Sequence, residues 1–402
     1  MQIVIRRVAG LVAPAMAREI IDVAEILTDD QKPRVAMPQP LLPMADDIGV
    51  EVEFGAAPDP AGTALDTERH AFRAATSARH SCSMCSLIRP LAIIGYDQRM
   101  SEPRFHYRLG VNQPAQSPTA RRLAEMAEAI GRETDGEFRL DVFPESRLGP
   151  DPQMFAGVQK GALEFYLAGA TLGGISPSSA LPLLPFTFAD NSAVFAALDG
   201  ALGDVIRGEL AASGLHAFRH SWLNGFHHIT TSNRPIREAG DFAGLKIRTP
   251  GGELAADFFR TLGAEPGMVP FSGMFAALKA KTFDGQSDPL GVVQSLRLDE
   301  VQTFLSLTGH WWSGFTLMAH GAAWQKLPRQ IQAIVERNTE RFAKLQRQDV
   351  EAVNAAGEAE LARRGMQINQ ADTASIRARL GDFYARWRQR FDPAVWALTG
   401  AP

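Results

Sequence analysis

The chain has 402 residues, of which 45% are hydrophobic and 21% charged, as is typical of a soluble protein with a substantial core and two or three domains. Its 41 Lys and Arg against 45 Asp and Glu give a net charge of −4, so no basic excess indicates a nucleic-acid-binding protein. No apolar run reaches the roughly 18 residues that a membrane-spanning helix needs.

Residues 1–103 differ from the rest of the chain. They show weak periodicity and include a proline-rich run at 33–43, which is typical of a poorly structured extension. An upstream start codon would explain them equally well, with the protein beginning near Met84 or Met100.

Two short patterns in this extension have chemical interpretations. Residues 1–17 meet the criteria for a secretion signal only weakly, with Arg6-Arg7 before an apolar run that ends in Ala15-Met-Ala17. The two cysteines, Cys82 and Cys85, form a Cys-x-x-Cys motif. A zinc site needs about four ligands, and no second cysteine pair exists, so we expect no metal and no cofactor.

From residue 105 onward, strand-like and helix-like segments alternate. Ser117 and Pro118 form a helix start, with an N-cap hydroxyl followed by proline at the first helical position. Residues 137–143 place Phe138, Leu140 and Val142 on one face of a half-buried strand. Alternation of this kind predicts an α/β protein with a largely parallel, doubly wound sheet. The predicted segments are strands at 105–111, 137–143 and 164–168, and helices at 118–130 and 152–160.

The second half of the chain contains the most informative stretch. A short strand at 245–249 delivers Arg248 just before a Pro-Gly-Gly break, and a turn-rich loop with acidic and amide side chains follows at 283–290. A guanidinium at a strand end is a good carboxylate receptor, because its planar fork can make two parallel hydrogen bonds. Between the strand at 245–249 and the loop at 283–290 we predict helices at 253–262 and 272–281 and an extended piece at 268–270. Near the end, residues 328–364 predict one long helix.

Together these segments resemble the substrate-binding proteins of tripartite ATP-independent periplasmic (TRAP) transporters, of the dicarboxylate-binding, DctP-like type. The resemblance covers roughly residues 104–399. It is carried by the order and spacing of several motifs: Gly244-Leu-Lys-Ile-Arg248, Asp284-Gly-Gln-Ser-Asp288-Pro, Ser146-Arg-Leu-Gly149, Leu184-Pro-Phe186, Trp222-Leu-Asn-Gly-Phe226, Arg234-Pro-Ile236 and Leu307-Thr-Gly-His310.

The resemblance implies a two-lobed, type II-like periplasmic-binding-protein fold, with a hinge and a long helix that spans both lobes. Lobe I is expected to contain 104–224 plus about 313–350, and lobe II 225–312 plus about 351–402. It further implies a periplasmic, monomeric protein that captures a small carboxylate and delivers it to membrane permease subunits, with no reaction chemistry.

Arg248 is the residue that the resemblance assigns to the ligand carboxylate. Its alternative is a structural arginine in an interdomain salt bridge. His227 stands where the family usually has a second cation, and a histidine is a weaker, pH-dependent donor. A pocket with one permanent cation should prefer a monocarboxylate over succinate-like dicarboxylates. His227 packed under the hinge is the other interpretation.

Asp288 replaces the amide that the family loop usually carries. An ionised aspartate only accepts hydrogen bonds, so we expect it to face ligand hydroxyls, a ligand ammonium or Arg248 itself. Further ligand contacts are expected from lobe I and from the tryptophans near the cleft, although a core tryptophan is the commoner outcome. These candidates are Gln113, Thr119, Gly169, Asn224 and Trp311, with at most one of Trp311 and Trp312 reaching the ligand.

Two alternatives remain at this point. One is a stand-alone ligand sensor or cytoplasmic carrier of the same fold. The other, a hydrolase-type enzyme, is disfavoured because no nucleophile elbow, phosphate-binding loop or metal-ligand spacing occurs in the sequence.

Overall fold

The protein is described here from a computed structural model, which covers residues 102–401. The predictions made for residues 1–101, including the secretion signal and the Cys82–Cys85 motif, fall outside this range.

The first of two sheets contains six strands in the order β2-β1-β3-β11-β4, with β5 pairing β11 alongside. Strand β1 runs parallel to β2 and β3, whereas β11 is antiparallel to β3, β4 and β5. The strands are β1 (Phe105–Gly110), β2 (Phe138–Phe143), β3 (Phe165–Ala168), β4 (Leu215–Ala217), β5 (Trp222–Phe226) and β11 (Trp312–His320).

The second sheet also contains six strands, in the order β12-β10-β6-β9-β7-β8. Strand β7 is parallel to β8 and β9, while β6 is antiparallel to β9 and β10. The strands are β6 (His228–Thr231), β7 (Lys246–Thr249), β8 (Glu265–Met268), β9 (Gly285–Asp288), β10 (Phe304–Leu307) and β12 (Gln367–Gln370).

The α/β class and the two-lobed fold are confirmed, but the prediction of a largely parallel sheet is wrong. Both sheets are mixed, because the chain leaves one sheet, enters the other and later returns in the opposite direction. Periodicity reports that a segment is a strand and not which way its neighbours run. We call the units built on the two sheets lobe I and lobe II, and we propose that their boundaries are those expected above.

The helices cover the sheets and connect them. Helix α1 begins as predicted, since Ser117 Oγ accepts a hydrogen bond from the Ala120 amide at 3.1 Å. The helices are α1 (Pro118–Glu133), α2 (Asp151–Lys160), α3 (Asn191–Leu198), α4 (Ala201–Ala212), α5 (Glu253–Thr261), α6 (Met274–Lys279), α7 (Leu290–Ser295), α8 (Gly321–Lys326), α9 (Arg329–Arg363), α10 (Thr373–Arg379), α11 (Phe383–Arg388) and α12 (Pro393–Ala397).

Three segments cross between the lobes. The chain passes from β5 to β6 at His227, returns from β10 to β11 through residues 308–311, and crosses again along α9. The 35-residue helix α9 bonds to both lobes, since Gln346 Nε2 donates to Thr119 Oγ1 of lobe I and Asn354 Oδ1 accepts from the Gly291 amide of lobe II. The predicted long helix that supports the hinge is therefore present.

None of the helices within residues 102–401 is long and apolar enough to cross a membrane. Apolar side chains instead form buried clusters around each sheet, with Leu109, Phe165 and Leu317 at the centre of lobe I and Leu298 and Leu305 in lobe II.

Candidate functional site

A cavity of about 700 Å³ lies between the two lobes. Its volume falls within the usual range for small-molecule sites, which occur preferentially at such interfaces. Several of its lining residues follow the carboxyl ends of strands, where open α/β sheets bind ligands. Lobe I and the crossing segments contribute, among others, Asn112, Gln113, Asp151, Gly169, Asn224, Trp311 and Ser313, and lobe II contributes His227, Arg248 and Asp288.

Arg248 lies on β7 between β8 and β9, and its side chain is 1% exposed. Its Nε donates to the Val269 carbonyl at 2.9 Å, and its Nη1 lies 3.4 Å from Asp288 Oδ2. Nη2 is buried and has no hydrogen-bond partner within residues 102–401. Burial lowers the pKa of the guanidinium, while the charges of Asp288 and Asp151 oppose that shift. A buried cationic donor without a partner is costly, so this atom favours an anion in the cavity.

Asp288 is the last residue of β9, in a segment for which the sequence predicted a turn-rich loop. That prediction is wrong, because residues 285–288 form a buried strand between β6 and β7. Burial raises the pKa of the Asp288 carboxyl to about 7, and the charge of Arg248 pulls it the other way. The 3.4 Å contact to Arg248 realises one of the two roles expected for Asp288, the pairing of opposite charges in one cleft.

His227 lies at the crossing from lobe I to lobe II and is buried. Its Nε2 lies 2.7 Å from Ser313 Oγ and its Nδ1 2.9 Å from Ser287 Oγ. Burial lowers the pKa of the imidazole to about 3, with smaller contributions from the charges of His228 and Arg248. The expectation of a pH-dependent cation at this position therefore fails: His227 lines the cavity as a neutral ring.

The hydrogen-bond chain from His227 continues into lobe II. Ser287 Oγ lies 3.0 Å from His310 Nε2, and His310 Nδ1 lies 2.7 Å from Thr308 Oγ1. Burial also lowers the pKa of His310 well below its usual value. Because both rings are neutral, each has one donor and one acceptor nitrogen, and the chain satisfies both without any net charge.

Trp311 packs among Phe258, Phe259 and His310 and is 2% exposed. It lines the cavity, and its buried Nε1 finds no hydrogen-bond partner in the described part of the chain. Trp312 occupies the other side of the strand, where its Nε1 donates to Asn191 Oδ1 at 3.0 Å. Only Trp311 of this pair therefore lines the cavity, as the alternation of side chains along a strand predicts.

The lobe I wall is polar at the end of β1. Asn112 Nδ2 donates to both oxygens of Asp151, at 2.9 and 3.1 Å, and its Oδ1 accepts from Gln113 Nε2. Asp151 Oδ1 also accepts from the Tyr166 hydroxyl at 2.7 Å. Gln113 was expected here, whereas Asn112 and Asp151 were missed. Their signals were the carboxyl end of a parallel strand and the Pro-Asp-Pro start of α2.

Of the remaining candidates, two line the cavity and one does not. Gly169 lines the cavity, where an added Cβ would meet the Phe315 ring at 3.6 Å, and Asn224 lines it with its Nδ2 donating to Ser313 Oγ at 3.0 Å. Thr119 does not: its hydroxyl bonds to Gln346 on α9, and it borders a separate cavity of about 250 Å³ beside α7. Because Thr119 lies at the start of α1, its side chain faces the long helix α9 and not the cavity.

Within residues 102–401, no group of three or more His, Cys, Asp or Glu side chains is arranged to hold a metal ion. Among the described residues, the cavity lining includes one buried guanidinium, the carboxyl groups of Asp151, Asp288 and, at the rim, Glu253, a neutral imidazole, amides and aromatic rings.

Comparison with known proteins places this cavity in context. Residues 109–390 match the family described as bacterial extracellular solute-binding protein, family 7. The chain is 33% identical over 221 residues to the 2,3-diketo-L-gulonate-binding periplasmic protein YiaO of Escherichia coli, covering 55% of this chain and 67% of that one. It is 30% identical over 291 residues to a solute-binding protein of Verminephrobacter eiseniae, covering 72% of this chain and 86% of that one.

Among solved structures, a TRAP periplasmic solute-binding protein from Polaromonas, bound to D-erythronate, superimposes with a TM-score of 0.71 at 30% sequence identity. The match covers 74% of this chain and 98% of the Polaromonas protein.

Proposed function

Since the chain belongs to the family of bacterial extracellular solute-binding proteins, family 7, we propose that it captures a small organic monocarboxylate between its lobes and delivers it to a TRAP-type membrane permease. The protein acts in the periplasm, as do its relatives of this type. The ligand carries one carboxylate and an otherwise polar, uncharged body, the chemistry of hydroxy acids and sugar acids.

The observation that supports this function best is the unpartnered Arg248 Nη2. A ligand carboxylate at this atom would supply the missing acceptor and a compensating charge in a cavity with little water, where such contacts are strongest. Trp311 Nε1 is a second buried donor without a partner among the residues that line the same cavity. Two such donors in one cavity are the complement of a carboxylate.

The charges of the lining favour a monoanion. Of the described residues that line the cavity, Arg248 and Arg390 are the only cations, and Arg390 is half exposed and paired with Glu253 at 2.8 Å. Asp288 and Asp151 already provide two carboxyl groups beside Arg248. A dicarboxylate would therefore bring its second charge into a cavity without another buried cation, which is unfavourable.

The state of the histidines supports binding without chemistry. Ser313 Oγ and His227 Nε2 are 2.7 Å apart, a spacing at which a histidine can act as a general base. Burial, however, lowers the pKa of His227 to about 3, so the ring is a poor proton acceptor at neutral pH. Its Nδ1 meets the Ser287 hydroxyl and not a carboxylate, so the pair lacks the group that would stabilise an imidazolium.

The test is isothermal titration calorimetry of the full chain against D-erythronate, D-gluconate, D-glucuronate, L-lactate, pyruvate and succinate. We expect at least one hydroxy or sugar monocarboxylate to bind, and succinate to bind more weakly. Arg248→Ala should cost about 2–5 kcal/mol of binding free energy, because it removes one partner of a buried charge pair.

Arg260→Ala is the matched control. This arginine lies on the exposed side of α5, where the described residues offer its Nε one hydrogen-bond acceptor, the Ala256 carbonyl of its own helix, and its loss should leave affinity unchanged. An unchanged dissociation constant in folded Arg248→Ala would contradict the proposal.

A further inference from the structure

The Asp288 carboxyl group competes with any ligand carboxylate for the same guanidinium. Its Oδ2 is 3.4 Å from Arg248 Nη1, and both side chains are buried, with 8% and 1% of their surface exposed. The adjacent Nη2 of the same guanidinium is the unpartnered donor at which we place the ligand. A ligand carboxylate at Nη2 would therefore share the Arg248 guanidinium with the buried carboxyl group of Asp288.

Two carboxylates in such a position cannot both remain ionised at low cost. Like charges close together in a water-poor cavity raise the pKa of one group, and a single guanidinium neutralises only one of them. We propose that the site takes up its carboxylate ligand together with a proton, and that Asp288 is the residue that holds this proton. The inference rests on the proposed function, since it needs a ligand carboxylate beside Arg248.

Protonation also changes what Asp288 does in the site. An ionised carboxylate is only an acceptor, whereas a protonated one has an O–H donor. With the proton in place, Asp288 joins Arg248 Nη2 and Trp311 Nε1 as a third donor available to the ligand carboxylate. An asparagine at this position would donate permanently, so an aspartate makes the same contact depend on pH.

The other titratable groups around Asp288 do not account for a proton in this pH range. Burial lowers the pKa of His227, at the crossing from β5 to β6, to about 3 and that of His228, the first residue of β6, to about 4. Burial also lowers the pKa of His310, in the segment before β11, well below its usual value. Each of these rings is therefore neutral at pH 6–8 in the protein without ligand.

The charged groups that face the cavity from other elements are already paired. On α2, Asp151 accepts hydrogen bonds from Asn112 and from the Tyr166 hydroxyl. At the rim, Glu253 of α5 pairs with Arg390, which lowers the pKa of the Glu253 carboxyl. Asp288 itself has a pKa of about 7 through burial, despite Arg248. It is the group whose proton occupancy changes when an anion arrives.

The direction of the effect follows from linkage. Without ligand, Asp288 is about half protonated at pH 7; with ligand it is protonated, so binding takes up about half a proton at pH 7 and close to one at pH 8. Uptake vanishes near pH 5.5, where the free protein already holds the proton. Affinity therefore falls as pH rises above 7, approaching tenfold per pH unit.

The experiment is calorimetric titration with D-erythronate, or with whichever monocarboxylate of the panel above binds tightest, at pH 5.5, 7 and 8. Each titration is made in two buffers whose heats of ionisation differ, phosphate and Tris at pH 7 and 8 and MES and Bis-Tris at pH 5.5, so that the difference in binding heat counts the protons exchanged. We expect uptake that grows with pH in the wild-type protein.

Asp288→Asn should bind the same acid with no proton exchange and with an affinity that is flat from pH 6 to 8. The matched control is Asp284→Asn, at the position before β9, where the carboxylate accepts from the Lys246 amide outside the cavity; it should keep the full proton uptake. Should Asp288→Asn fail to fold, the wild-type series in two buffers still decides whether the ligand binds together with a proton.

The outcomes separate the two proposals. Binding with no proton exchange, or with proton release, contradicts this inference and leaves the proposed function standing. Proton uptake that survives in folded Asp288→Asn contradicts the assignment to Asp288. A folded protein that binds none of the monocarboxylates contradicts the proposed function and this inference with it.

Discussion

At the scale of single residues, burial decides what each ionisable side chain can do. His227 and Asp288 both line the cavity between the lobes. Burial makes His227 a neutral ring, whereas it brings the Asp288 carboxyl group close to half protonation at pH 7. Both shifts have the same cause, the cost of a charge in a water-poor environment. Residue type alone suggested a pH-dependent cation at 227 and a permanent anion at 288.

The buried histidines should make the fold sensitive to acid. Burial lowers the pKa of His216, His227, His228 and His310 below the ordinary value of about 6.5. Between about pH 4 and 6.5 the unfolded chain therefore binds more protons than the folded one, and this favours unfolding. Their contribution to stability is full above pH 6.5 and is lost as pH falls. Asp288 has the opposite effect on stability between about pH 4 and 7, because burial raises its pKa and the folded chain holds its proton more tightly. It is one group, whereas the histidines are four.

The expected result is a free energy of unfolding that falls from pH 6.5 to 4.5, measured by urea denaturation. His228→Gln removes one of these sites and should make the fall shallower. Gly208→Ala, which changes no titratable group on the exposed face of α4, serves as the control and should keep the wild-type slope. A stability that is level over this pH range would contradict the neutral, buried state of these rings.

At the scale of elements, the strand pair β5–β11 and helix α9 form the connection between the lobes. Gln346, which is fully buried on α9, accepts from the Leu223 amide at 2.8 Å and donates to the Leu223 carbonyl at 2.7 Å. About two helical turns further along α9, Asn354 Nδ2 donates to the Asn224 carbonyl at 3.0 Å. Two amide side chains of one helix thus bind the backbone of β5, for which the described residues provide one sheet partner, β11.

This close approach explains the glycine that follows Asn224. Gly225 has a φ of 132°, and an added Cβ would lie 2.5 Å from Asn354 Nδ2. Gly225→Ala therefore combines backbone strain, which costs about 1–3 kcal/mol, with a contact that displaces the helix from the strand. We expect a free energy of unfolding lower by at least that amount, measured by urea denaturation, and weaker ligand binding.

Gly208→Ala is the control for the glycine substitution. Gly208 lies on the exposed face of α4, and nothing stands within 4 Å of an added Cβ. Here alanine should be neutral or stabilising by about 0.5–1 kcal/mol, because glycine is a poor helix former. Equal stabilities for the two variants would show that the approach of α9 to β5 is not tight.

At the scale of the whole molecule, the cavity belongs to neither lobe alone. Asp151 and Gln113 come from lobe I, Arg248 and Asp288 from lobe II, and only three chain segments join the lobes within residues 102–401. A ligand that bonds to both walls would favour the arrangement in which they are closest, since it binds that state more tightly. We therefore expect ligand binding to bring the lobes together.

Spin labels on the two lobes test this movement. Glu128→Cys on α1 and Lys279→Cys on α6 place exposed labels on lobe I and lobe II, with Cys82 and Cys85 replaced by serine. Pulsed dipolar spectroscopy should show a shorter and narrower distance distribution with saturating ligand. Arg248→Ala should keep the ligand-free distribution at the same ligand concentration. A distribution that does not change in a protein with bound ligand would exclude closure.

The sequence by itself determined most of the local structure and the family. Helix α1 could be predicted from Ser117 and Pro118, and the strand that carries Arg248 from its apolar alternation and the Pro-Gly-Gly break, because caps, turns and periodicity are properties of neighbouring residues. The order of motifs between residues 104 and 399 sufficed to identify the family, and Arg248, Asp288, His227 and Trp311 were each placed at the cavity.

Only the tertiary structure decided the directions of the strands, the charges in the cleft and the side toward which Thr119 turns. The segment around Asp288 has the composition of a loop, with Asp, Gly, Gln and Ser, yet it is a buried strand because β6 and β7 satisfy its backbone from both sides. Strand pairing, the pKa of Asp288 and the free Nη2 of Arg248 all depend on groups tens of residues away. Such contacts arise only when the chain folds, and no local pattern encodes them.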